Sequence, residues 1–145
     1  MTANPRTIHL LLLEDNPDDV FLFKMAVKRL GEVQFEITLA ERLSEAIQIF
    51  GEKPIDLAIA DLNLPDSCGL ATVRSLMQSA EGVPIIALTG WADPELGTQL
   101  VNEGVFGHWS KDRLNGPNLA SEILNAIMRA GLMDHDRNSL HLGDA

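Results

Sequence analysis

The chain has a single cysteine and no tyrosine, and aromatic residues make up 5% of its 145 positions. Cys68 alone cannot form an intrachain disulfide, and it has no Cys or His neighbour at metal-ligand spacing. A disulfide scaffold and a zinc knuckle are therefore both excluded, and Cys68 reads as a small loop residue. Positive charge is scarce: 11 Lys and Arg stand against 21 Asp and Glu, a formal net charge of -10. A phosphate backbone would be repelled by this balance, so no direct nucleic-acid partner is expected. Long hydrophobic runs are missing as well. The apolar stretch at residues 8–13 is interrupted by His9 and stopped by Glu14 and Asp15. That is too short for a signal segment or a membrane span, so the expected location is cytoplasmic with no membrane partner. No internal repeat or low-complexity block is visible.

What is present is 46% hydrophobic content, enough to bury the core of one domain. Short apolar runs bounded by turn residues alternate with stretches of helical period. That alternation predicts an α/β fold, a doubly wound parallel sheet of five strands with five helices. Strands are expected at residues 7–13, 34–40, 55–60, 84–88 and 106–110. The first helix has its start written in "NPDD": Asn16 suits the N-cap, Pro17 the first helical position, and Asp18 and Asp19 the positive end of the dipole. It should bury Val20, Val27 and either Phe23 or Phe21. Further helices are expected at 43–50, 70–79, 95–102 and 119–129, with Gly31, Gly51, Gly82, Gly104 and Gly131 marking ends. Residues 6–131 form the expected domain, and residues 132–145 a polar, frayed C-terminal tail.

Ligands of an open parallel sheet sit outside the carboxyl ends of its strands. There the chain places Glu14 and Asp15 after the first strand, Asp61 after the third, Thr89 and Gly90 after the fourth, and Lys111 after the fifth. Carboxylates gathered this closely repel one another, which raises a pKa or calls for a cation. Magnesium, held by one or two carboxylates and completed by phosphate oxygens, suits Asp15 and Asp61 with Glu14 behind them. Lys111 can neutralise a phosphate oxygen and Thr89 can donate to another, while a carboxylate such as Asp61 can itself accept a phosphoryl group. The blander readings are kept for the rest. Asp18 and Asp19 complement the helix dipole with no catalytic role, Asp56 and Asp66 are turn residues, His108 is a half-exposed structural histidine, and Trp109 and Phe106 pack.

The segments "LLLEDNPDD", "DLAIADLNLPDSCGL", "VPIIALTG" and "GVFGHWSK" together resemble the receiver domains of two-component response regulators, over about residues 6–131. The resemblance implies a flavodoxin-like strand order of 2-1-3-4-5. It implies that Asp61 accepts a phosphoryl group from a sensor histidine kinase or a histidine phosphotransfer protein. Magnesium (Mg2+) would be held by Asp15, Asp61 and the backbone carbonyl of Asn63, with Glu14 assisting. Thr89 would follow the phosphoryl group inward and Lys111 would bridge to it, with backbone amides near Asn63 and Gly90 completing the contacts. The protein would be a stand-alone switch and not an enzyme, beyond its own phosphorylation and dephosphorylation. A downstream protein target, and in some cases a homodimer, would meet the face of the fourth helix, fifth strand and fifth helix.

Three departures from the family pattern stand out. Lys111 is followed by Asp112 where receivers have a proline joined by a cis peptide. The aromatic readout position holds His108, with Trp109 beside it, so the readout is expected to be altered or moved to Trp109. Trp91, two positions after Thr89, is bulky where water must approach and predicts slow self-dephosphorylation. Other functions share the architecture. A flavodoxin-like carrier needs Ser, Thr and Gly in its first loop, which here reads "EDNPDD". A haloacid-dehalogenase-type phosphatase needs a second aspartate where Asn63 stands. A degenerate receiver that binds partners without phosphorylation, or a receiver cut from a larger protein, completes the alternatives.

Overall fold

A computed structural model describes residues 6–27, 29–30, 33–80, 82–90 and 94–143. Five parallel strands, β1 (Arg6–Leu13), β2 (Val33–Ala40), β3 (Leu57–Asp61), β4 (Ile85–Thr89) and β5 (Gly107–Ser110), lie in the order β2-β1-β3-β4-β5. Five helices accompany them: α1 (Pro17–Ala26), α2 (Leu43–Glu52), α3 (Leu70–Ser79), α4 (Pro94–Glu103) and α5 (Leu119–Gly143). The expected fold class and strand order hold. The sheet also carries a sixth, two-residue strand, Arg29–Leu30, antiparallel on the outer edge of β2. Two residues are too few to show any periodicity, so the sequence carries no sign of this extra edge strand.

Strand β1 is buried on both faces because both faces are covered by helices. Leu10 and Leu12 join Val20 and Phe23 of α1 and Leu119 and Ile123 of α5 in one core cluster. Leu11 and Leu13 face the other way, toward Ala46 of α2 and Leu76 of α3. Alternation of side chains along one strand thus feeds two cores. Of the two candidates on α1, Phe23 is fully buried while Phe21 is 54% exposed.

The register then sets the site. Leu13 pairs with Ala60, so Glu14 and Asp61, each one residue further on, leave the sheet side by side. Asp61 itself pairs with Leu88, and Thr89 with Ser110, which brings Thr89 and Lys111 to the same end.

Local hydrogen bonds fix the loops at this end. Asn16 Oδ1 accepts from the amides of Asp18 (2.9 Å) and Asp19 (3.3 Å), the N-cap that "NPDD" predicts. The start of α2 has no cap from its own N-cap residue, Arg42. Asp66 supplies it from the loop after β3, accepting from Leu43 N at 2.8 Å and Ser44 N at 3.1 Å. Asp56 likewise accepts from His9 N at 2.7 Å. Both were expected to be plain turn residues; each instead joins segments distant in sequence.

Helix α5 continues to Gly143, so the backbone of the expected frayed tail is helical as far as that residue. Gly131 was read as a stop, but glycine inside a helix costs only about 1 kcal/mol relative to alanine, which neighbouring helix formers override. Among the described residues no helix is long and apolar enough to cross a membrane.

Candidate phosphoacceptor site

Asp61 ends a strand whose five residues are all buried, and the residue is itself only 4% exposed. Both oxygens are engaged. Oδ1 accepts from the backbone amide of Asn63 at 3.0 Å, and Oδ2 accepts from Lys111 Nζ at 2.8 Å. Lys111 reaches inward from the residue after β5, and its ammonium also lies 3.1 Å from Glu14 Oε1 and 3.2 Å from Asp19 Oδ2. One cation therefore serves three carboxylates.

Glu14 is fully buried, with its amide bonded to Ala40 O (2.9 Å) and its Oε2 accepting from Asn16 N at 3.2 Å. Its Oε1 has the Lys111 charge nearby but no donor in hydrogen-bonding geometry. Burial, then the hydrogen bond with and the charge of Asp61, push the Glu14 pKa up to about 7, against the smaller pull of Lys111 and the Asn16 amide. For Lys111, burial works against the ammonium, but its hydrogen bond to Asp61, its close approach to Glu14 and the charges of both prevail and raise its pKa.

Glu14, Asp15 and Asp61 each offer a carboxylate oxygen, all within 4.8 Å of one another. A buried carboxylate oxygen without a donor, beside two more, has the chemistry of a hard-cation site, and magnesium fits this donor set. Asp61, Asn63, Thr89, Gly90 and Lys111 line a cleft of about 220 Å³ over the Asp61 carboxylate. Thr89 Oγ1 is turned toward β5, donating to Trp109 O at 3.5 Å.

A larger cleft, about 510 Å³, opens at the opposite end of β4 and β5 beside Pro84 and Phe106. Among the described residues its one charged side chain is Arg129, which stacks 5.5 Å from the Phe106 ring centre. The paired Asp61 and Lys111 line the smaller cleft.

The chain matches the response regulator receiver domain family over residues 10–124. It belongs to that family. The response regulator protein PilR of Pseudomonas aeruginosa is 27% identical over 101 residues, covering 70% of this chain and 22% of PilR. The virulence transcriptional regulatory protein PhoP of Salmonella typhimurium is 33% identical over 90 residues, covering 59% of this chain and 38% of PhoP. This receiver thus spans well under half the length of either relative. The receiver domain protein (CheY-like) of Methanospirillum hungatei shares the fold, with a TM-score of 0.74 and 20% identity over 88% of this chain and 98% of that one.

The receiver departs from the family pattern as follows. No described peptide bond is cis, so Lys111 and Asp112 are joined in trans. A 3-10 helix, Lys111–Asn115, follows directly, and Ser110 Oγ accepts from Asp112 N at 3.3 Å. The loop is shaped by an N–H that a proline would lack. His108 and Trp109 point to opposite faces, as neighbours on a strand must. Trp109 is 7% exposed in the core with Arg113 5.1 Å from its ring centre, while His108 lies outside against α4, where a Cβ on Gly97 would come 3.0 Å from its Cε1. Neither lines the cleft. Trp91 falls outside the described residues.

Asp18 and Asp19 part company. Asp18 is exposed, as a dipole complement should be, whereas Asp19 touches Lys111 and is part of the cluster. The sequence holds no signal for this, since the two residues are 92 apart and either aspartate satisfies the helix start.

Proposed function

We propose that this receiver is a phosphorylation-controlled switch in which Asp61 accepts a phosphoryl group from a histidine kinase or a histidine phosphotransfer protein. The observation that carries the reading is Lys111 Nζ 2.8 Å from Asp61 Oδ2 beneath a cleft that also presents Thr89. An Asp61 oxygen attacks phosphorus, the bond from phosphorus to the donor's histidine nitrogen breaks, and the nitrogen keeps the electron pair. The product is an acyl phosphate on Asp61.

Lys111 supports this step by neutralising charge on the phosphoryl oxygens, in place before the reaction begins. Thr89 reorients its hydroxyl from Trp109 O toward a phosphoryl oxygen, a short rotation at the end of β4. Asp15, Asp61 and the Asn63 carbonyl, with Glu14 assisting, would hold magnesium. Bound there, the ion neutralises the carboxylates and the incoming phosphoryl group. The unit that acts is residues 6–131. It performs no turnover of an external substrate, and its signal leaves through protein contacts. The α4 and β5 face suits a downstream partner, with Val101 61% exposed and His108 lying over Gly97.

The test is incubation with magnesium and acetyl phosphate, with intact mass recorded beside an Asp61→Ala variant. Gain of one phosphoryl mass by the parent alone is expected. No gain by folded parent, or equal gain by the variant, overturns the assignment.

A further inference from the structure

We infer that Asp19 is a positioning residue for Lys111, holding the ammonium toward the open side of the cleft so that it meets the phosphoryl group; the inference rests on the reading of Asp61 as phosphoacceptor. The three carboxylates around Lys111 differ in depth. The side chains of Glu14 and Asp61 are 0% and 5% exposed, that of Asp19 is 26% exposed, and that of Lys111 is 28% exposed. Glu14 and Asp61 pull the ammonium down to the floor, and Asp19 alone among them pulls it outward.

This matters when Asp61 is phosphorylated. Its carboxylate charge then moves out onto the phosphoryl oxygens, and the ion pair at 2.8 Å loses one partner at the floor. An ammonium already shared with Asp19 needs little movement to follow the charge. One held by Glu14 alone would have to leave a buried partner first, and electrostatic support works best when it is in place beforehand. Asp19 is itself well anchored. It sits in the first turn of α1, its amide bonded to Asn16 Oδ1 at 3.3 Å.

Its neighbour provides the control. Asp18 carries the same charge in the same helical turn, also bonds to Asn16 Oδ1 through its amide, and is exposed, away from the cluster. Asp19→Ala and Asp18→Ala therefore remove the same net charge and the same dipole complement, but only the first removes a contact to Lys111.

The experiment measures the rate of phosphoryl gain from acetyl phosphate in parent and both variants, and in the same proteins the 15N-NMR signal of the Lys111 ammonium, visible when its protons exchange slowly. Asp19→Ala is expected to slow the gain about tenfold and to lose the signal, with Asp18→Ala within about twofold of the parent and its signal kept. A parent rate in Asp19→Ala, or equal slowing in Asp18→Ala, overturns the inference. Should the parent itself gain no phosphoryl group, the phosphoacceptor reading fails, and the ammonium signal decides the tether by itself. Loss in Asp19→Ala alone upholds it; absence from the parent or persistence in Asp19→Ala overturns it.

Discussion

Glu14 and Asp66 are both acids on loops at the carboxyl end of the sheet, and their surroundings drive them in opposite directions. Glu14 is buried beside another carboxylate, and burial first, then Asp61, raise its pKa to about 7. Asp66 is exposed at the start of α2, where the Leu43 amide first, with help from Ser44, lowers its pKa despite some desolvation. The proposed magnesium site would draw on the buried member of the pair. A carboxylate that the fold would rather see neutral leaves the site hungry for positive charge, whereas one satisfied by backbone amides serves only to hold a helix end.

The strongest way to break this comparison is to remove the cation that makes the buried side tolerable. Lys111→Met leaves Glu14 and Asp61 facing each other with no counter-charge. Losing one partner of a fully buried ion pair costs about 3 to 5 kcal/mol, and because Lys111 is partly open to solvent we expect about 2 kcal/mol at pH 8. Urea unfolding measures it. The loss should shrink at pH 5.5, where Glu14 takes a proton, and shrink again at pH 8 when magnesium is added. A loss equal at both pH values would mean that Glu14 does not carry the repulsion.

Glu14 itself offers the next test. Its folded pKa of about 7 lies above the ordinary 4.5, so between those values the folded protein holds a proton that the unfolded chain has released. Stability from this group is therefore complete below about pH 4.5 and falls as pH rises toward and through 7. The expected contribution is about 2 kcal/mol, and Glu14→Gln should flatten that part of the stability profile. Magnesium binds the ionised form, so it should raise Tm more at pH 8 than at pH 5.5 in the parent. A profile in Glu14→Gln as steep as the parent's would place the titration elsewhere.

Much of this was legible beforehand because strand and helix periods, caps and strand-end polar residues are local signals. Residues 70–79 were expected as a helix and form α3 with the same bounds, and Glu14, Asp15, Asp61, Thr89 and Lys111 do meet at one end of the sheet. What escaped is long-range. Asp19 to Lys111 spans 92 residues, Asp56 to His9 spans 47 and Asp66 to Leu43 spans 23. In each case an aspartate already had an adequate local explanation, as a turn former or a dipole complement, and local sufficiency conceals a distant partner. The trans Lys111–Asp112 junction escaped for a related reason. A missing proline says what the loop cannot be, and only the Ser110 hydroxyl on Asp112 N says what it is.

The smallest expected effect sharpens the comparison from its exposed side. Asp66→Ala removes the two bonds at the start of α2, which has no local side-chain cap to replace them. Because the Asp66 pKa is lowered when folded, its stabilisation is present above the ordinary carboxylate value of 3.8 and is lost as pH falls below it. The parent and Asp66→Ala should therefore differ in Tm by a small constant amount from pH 5 upward and converge in acid. That is the reverse of the Glu14 profile, whose contribution is greatest in acid and disappears toward neutrality. Thermal melts of parent, Glu14→Gln and Asp66→Ala from pH 3 to 8 place both on one plot. If Asp66→Ala instead altered the magnesium dependence at pH 8, the cap would reach the cleft through the loop carrying Asn63, and the two carboxylates would belong to a single device.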